Sequence, residues 1–179
     1  FHEFSGVFDG KGHVVEGLKV SNVADAGLFG AAKGAAIKNL VVRGSVTGTD
    51  NAAGILAKAK NEACTIENCG NEAAVTVTKS GGGNAGSILG ITFTDVQIAR
   101  CYNRSAVTST GSTYSSRAGG IVGYISGNGT AKVNTCYNTG NITSDSYAAG
   151  VFAGYSLYLF CGITAAAEGK SNDLGHHAA

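Results

Sequence analysis

The sequence predicts an all-β fold, a parallel β-helix (β-solenoid) of about five to six irregular coils. Three observations carry this prediction. An aliphatic residue followed three positions later by Leu or Cys recurs along the chain, a β-branched residue and a threonine follow it at a fixed offset, and loops of Gly, Ser, Asn and Asp separate the short strand-like runs. Parallel stacking places like residues of successive coils about 4.8 Å apart.

The anchors are VEGL at Val15–Leu18, IKNL at Ile37–Leu40, IENC at Ile66–Cys69, IARC at Ile98–Cys101 and VNTC at Val133–Cys136. Six residues after the Leu or Cys of the last four copies stands Val46, Val75, Val107 or Ile142, each followed at once by Thr47, Thr76, Thr108 or Thr143. A third element follows the variable loop: GLFG from Gly27, AGILA from Ala53, AGSILG from Ala85, AGGIVGY from Ala118 and AAGVFAGY from Ala148. Successive anchors lie 22, 29, 32 and 35 residues apart. Loop length thus varies while strands keep register, which suits a solenoid better than a propeller, whose blades need about 40 residues and four strands, or a sandwich. The copies fall near 4–30, 31–60, 61–93, 94–127 and 128–156, and 157–179 reads as a degenerate last strand with a C-terminal cap or tail. Within that tail SLYLFCGIT forms one more strand, with Cys161 expected to continue a cysteine column.

Composition narrows the function. With 44% hydrophobic and 14% charged residues the 179-residue chain is globular rather than disordered, and one domain is expected. A net charge of +1 without a Lys/Arg cluster excludes electrostatic capture of nucleic acid or anionic lipid. No apolar run reaches 18 residues, so membrane insertion is not expected. The chain contains no Met and opens on Phe1, which reads as a piece of something larger with neighbouring domains.

Five cysteines, at 64, 69, 101, 136 and 161, form no CxxC pair and have no histidine partners, so no metal site is expected. Cys69, Cys101 and Cys136 share one repeat position with Leu40, and strand alternation turns that position inward. A buried thiol stack is the expectation, since parallel side-chain directions are poor for bonding; one or more disulfides is the alternative. Asn71, Asn103 and Asn138, two residues further on, are placed to form an amide ladder, and Tyr102 and Tyr137 to stack.

The register-matched pairs Thr47 and Thr49, Thr76 and Thr78, Thr108 and Thr110 project from one face as two parallel ranks, the possible binding face. Such a TxT array resembles the ice-binding face of solenoid antifreeze proteins, although the fourth coil reads Thr143-Ser144-Asp145 and Thr is also an ordinary strand residue. A carbohydrate-active enzyme needs carboxylates converging on adjacent coils. The acids are scattered instead: Asp50, Asp95 and Asp145 fall in different loops, and Glu62, Glu67 and Glu72 cluster on one coil. No catalytic residue and no cofactor is expected. Asp9 to His13, DGKGH, combines metal-ligand and phosphate-loop residue types, yet a strand rather than a helix follows it, and Asp9-Gly10 reads as a hairpin-like corner opening the first coil.

FSGVFDGKGHVVEGL with GLFG resembles the GLUG motif, and AGGIVGY with CYNTGNIT resembles repeats of large secreted or surface-attached bacterial proteins, including adhesins and regions flanking IgA-specific metallopeptidases. The resemblance spans roughly residues 4 to 155. It implies right-handed coils, a bacterial secreted or cell-surface setting, and a non-catalytic spacer or adhesive module whose partners are surface glycans or proteins. The HExxH of the peptidase part is absent from this chain, so that activity is not implied. For an adhesive role, the exposed strand faces and the loops Thr110–Arg117 and Ser80–Asn84 are the expected contact regions.

Overall fold

The repeat sets a strand period that the computed structural model realises as stacked parallel coils; residues 2–154 and the backbone of 163–165 are described. Strand β1 (Phe4–Ala26) lies parallel on β2 (Phe29–Ala53), which pairs with β3 (Leu56–Ala59) and β4 (Cys64–Thr78) of the next coil. Shorter strands continue the same faces in later coils, all paired in parallel within one sheet of 15 strands. No helix occurs among the described residues. The fold is an all-β parallel solenoid of about five turns.

Side-chain alternation then sorts each coil into inside and outside. Ile37, Ile66, Ile98 and Val133 stand above one another, and 163 continues that column on the backbone. A second inner column is Val46, Val75, Val107 and Ile142, a third Ala52, Ala85 and Ala118, continued by the exposed Ala148, and a fourth Phe29, Leu56, Leu89, Val122 and Phe152. Most of these side chains are fully buried, forming one large core cluster and a smaller one beneath the threonine strands. Small residues at the third column let opposite walls approach, while Ile and Leu fill the wider part of the section.

Each coil turns one corner between its anchor and the following Leu or Cys, and there the third anchor residue takes a left-handed conformation: Asn39 at φ 57°, Asn68 at 51°, Arg100 at 53° and Thr135 at 53°. Asn tolerates this region better than other non-glycine residues. Arg100 and Thr135 occupy it because the coils above and below already define the bend.

Two expectations for the first coil are corrected. Val15 does not align with Ile37; Phe8 does, and Val15 stands opposite Val42. Nor is Asp9-Gly10 a hairpin corner. Asp9 to His13 lies within continuous β1, where its five residues oppose only Lys38, Asn39 and Leu40, so two residues bow outward as a bulge. This insertion hid the true period of the first repeat. Val15 and Leu18 nevertheless pack against the core, as do Phe4 and Phe8, whose rings meet Phe29 at 4.8 and 5.2 Å.

Candidate binding surface

The threonine strands expose a regular outer face because buried residues alternate with them. Val46, Val75, Val77, Val107 and Ser109 point inward, and Thr47, Thr49, Thr76, Thr78, Thr108 and Thr110 point outward, exposed or half-buried. Thr47, Thr76, Thr108 and Thr143 are in strict register, as are Thr78 and Thr110. Thr49 lies beyond the paired run, which ends at Gly48 opposite Val77, so the second rank is shorter than the sequence implies. Asp145 continues that rank and accepts a 2.8 Å hydrogen bond from the Gly111 amide. Beside the threonines runs a column of Ser45, Ala74 and Ala106, which leaves the centre of the face small and uncharged.

A charged column borders this face. Arg43 donates to Glu16 at 2.7 Å and to Glu72 at 2.6 Å, and Arg104 lies 3.7 Å from Glu72, giving the order Glu, Arg, Glu, Arg along the axis. The two guanidinium groups and the Tyr102 hydroxyl hold the Glu72 carboxyl below the usual carboxylate range, with the Arg43 hydrogen bond the largest cause. Glu67 of the same coil pairs likewise with Arg100 at 3.1 Å. Next outward stands Val14, Val41, Gly70, Tyr102 and Tyr137, with the two rings stacked at 5.5 Å and 11° and the Arg104 guanidinium 4.8 Å from the Tyr102 centroid.

Two outer ladders share an order that sequence reading did not find. At the left-handed corner, Asn39 donates to Asp9 at 2.9 Å, Asn68 to Asn39 at 3.0 Å, and Arg100 to Asn68 at 2.6 Å. At the opposite corner, Asn51 donates to Asp25 at 2.7 Å, Asn84 to Asn51 at 2.8 Å, and Arg117 to Asn84 at 3.3 Å. Asp only accepts, Arg only donates and Asn does both, so the sequence Asp, Asn, Asn, Arg orients every amide in the chain. The signal was present as Asn at matching positions, but Asp9 and Arg100 hide it until the coils are stacked.

The inner ladder is as expected. Asn71 donates to Asn103 at 2.9 Å and Asn103 to Asn138 at 2.7 Å, and each amide also bridges the backbone two residues on. Gly54 makes room for it, since a Cβ there would lie 1.9 Å from the Asn71 side-chain oxygen.

Cys64, Cys69, Cys101 and Cys136 are free, buried thiols, in agreement with the thiol stack rather than with disulfides. On the backbone, residue 165 stands opposite Cys136; Cys161 lies outside the described residues, as do His176 and His177. At Cys101 the Cys136 thiol acts to lower the pKa, but the Cys69 thiol and burial outweigh it and the value is pushed up to about 12. Hydrogen bonding to Cys101, then burial, raises Cys136, and burial raises Cys64. Because all four thiols are buried, native protein at neutral pH is expected to leave them unlabelled by iodoacetamide, with alkylation mapped to them by mass spectrometry only after unfolding. Above about pH 9 the unfolded Cys101 thiol ionises while the folded one keeps its proton up to about pH 12, so stability falls as pH rises, by about 1.4 kcal/mol per pH unit in this window. Urea titrations at pH 8 and pH 10.5 should show the fall, and Cys101→Val should make it shallower; an unchanged slope would remove Cys101 from this account.

The two loops expected as contact regions are hydrogen-bonded to each other. Ser115 of the Thr110–Arg117 loop donates to the Gly81 carbonyl at 2.5 Å, joining it to the Ser80–Asn84 loop, and Tyr114 stands 85% exposed at its tip. Asp50 pairs with Lys79, and Asp95 accepts from Thr130 at 2.7 Å. Among the described residues no group of three His, Cys, Asp or Glu side chains is placed to hold a metal ion.

Fold and surface together define a β-solenoid repeat protein with side-chain ladders along its axis. No family model, curated protein or solved structure matches this chain.

Proposed function

We propose that the chain is a non-catalytic β-solenoid module of a bacterial secreted or surface protein, acting as a rigid spacer and adhesive scaffold. The observation that carries this reading is that its hydrogen-bonded ladders and its ion pairs run along the axis, from coil to coil. Exposed ion pairs contribute little individually, but ladders that cross each coil interface at several points resist bending and shearing. That suits a module that must hold a contact surface away from its anchor. The motif resemblance supports the extracellular setting, and small uncharged side chains on one face support contact with neutral material.

The test is retention of the pure chain on a glycan array and on bacterial and host cell surfaces, with reducing-sugar release measured on the same glycans. Retention without release is expected; release would favour a glycosidase or lyase instead. The register of Thr47, Thr76, Thr108 and Thr143 favours a second reading, ice binding. Thermal hysteresis that disappears in Thr76→Lys would establish that reading over the first.

A further inference from the structure

We propose that the groove beneath the Asp9–His13 bulge is a binding site for a neutral sugar unit of a glycan chain. This rests on the adhesive reading and assigns it a site. A shallow, open surface depression of about 350 Å³ lies between the bulge residues Asp9, Lys11 and Gly12 and the coils beneath, where Asn39, Leu40, Val41 and Asn68 line it. It exists because Lys11 and Gly12, both at positive φ, carry the two extra residues away from the corner that later coils turn tightly.

The chemistry of the wall selects the ligand. Asn39 spends one N–H on Asp9 and one carbonyl lone pair on Asn68; Asn68 spends one N–H on Asn39 and one lone pair on Arg100. A side-chain amide has two donors and two lone pairs, so each retains one of both. Donor and acceptor are thus offered together at successive coils, about 4.8 Å apart. A hydroxyl both gives and takes, whereas an anion only accepts and a cation only donates, so neighbouring hydroxyls of a pyranose satisfy this wall most fully. The charge of Asp9 is opposed by Lys38 at 3.8 Å and by the adjoining Lys11.

The floor supplies the other half of sugar recognition. Val41 is half-buried in the column of Val14, Gly70, Tyr102 and Tyr137, where the Tyr102 ring covers the buried Gly70 and stacks on Tyr137. The C–H face of a sugar ring packs on such a floor while its hydroxyl edge meets the amides. Further units of a chain then meet the edge of the Tyr102 ring, which covers Gly70.

The experiment is an NMR titration of the full chain with glucose, galactose, mannose and N-acetylglucosamine and their short oligomers. At least one neutral sugar is expected to shift the backbone amides of Asp9 to His13 and Asn39 to Val41, together with the Asn39 and Asn68 side-chain amides. Val41→Lys, checked for folding by circular dichroism, should weaken that binding at least tenfold, and Thr76→Lys should leave it unchanged. Deletion of Lys11 and Gly12, which restores the three-residue corner of later coils, is the second variant and should also abolish it. Glycan binding whose shifts fall on the threonine ranks would overturn the groove assignment and leave the adhesive reading standing. Absence of any shift with all sugars would overturn the assignment outright; only failure on arrays and cell surfaces as well would remove the adhesive reading.

Discussion

Replacing Asn103 with leucine is expected to lower the free energy of unfolding by about 4 kcal/mol, since each buried polar group left without a partner costs roughly 1 to 3 kcal/mol. Asn103 is fully buried at the middle of the inner ladder. Its carbonyl oxygen accepts from Asn71 and from the Ser105 amide, and its nitrogen donates to Asn138 and to the Ser105 carbonyl. A leucine of similar volume fills the space yet leaves an Asn71 N–H without a partner in the buried interior and both Ser105 backbone groups without theirs at a part-buried position. At the end of the ladder the effect should be smaller, because the coil below Asn71 already carries Val42 at this position. Urea unfolding followed by circular dichroism distinguishes the two sites. A loss below about 1 kcal/mol at Asn103 would mean that water or a shifted coil satisfies the stranded groups.

Ile98→Ala should cost about 2 to 5 kcal/mol, the range for truncating a buried aliphatic side chain. Ile98 is fully buried between Ile66 and Val133, so the cavity opens against two coil interfaces at once. In a stacked array, stability is approximately a sum of coil terms and nearest-neighbour terms. Hydrogen exchange should therefore lose protection first in the strands around Ile66, Ile98 and Val133, with smaller changes in β1. Val15→Ala, at a half-buried position in the first coil, should cost clearly less. Equal losses at the two positions, or uniform loss of protection, would point to a globally cooperative unit rather than a stack.

Much of this architecture is legible in the sequence because a solenoid repeats its environment. Ile37, Ile66, Ile98 and Val133 recur with the same neighbours, and so do the threonines that follow Val46, Val75 and Val107. The Asn71, Asn103 and Asn138 ladder and the Tyr102 and Tyr137 stack were legible for the same reason. Where residue type changes from coil to coil, the columns were hidden. The first coil substitutes Phe8 for the aliphatic anchor and inserts two residues, so spacing pointed to Val15. The candidate groove was invisible for a related reason, since its parts belong to three coils and only the bulge brings them together.

The sequence by itself determined the all-β class, the parallel stacking, the inward thiols and the outward threonines, because side-chain alternation and coil period are local properties that survive changes in loop length. Only the tertiary structure decided how chemically unlike residues on successive coils complement one another. Asp9, Asn39, Asn68 and Arg100 form one oriented chain, as do Asp25, Asn51, Asn84 and Arg117. Such pairings depend on register across about 30 residues of chain, and a single bulge shifts that register. The DGKGH cluster shows the difference: its residue types suggested chemistry and its turn signal suggested a corner, while the coils beneath it set its place as the bulge over the candidate groove.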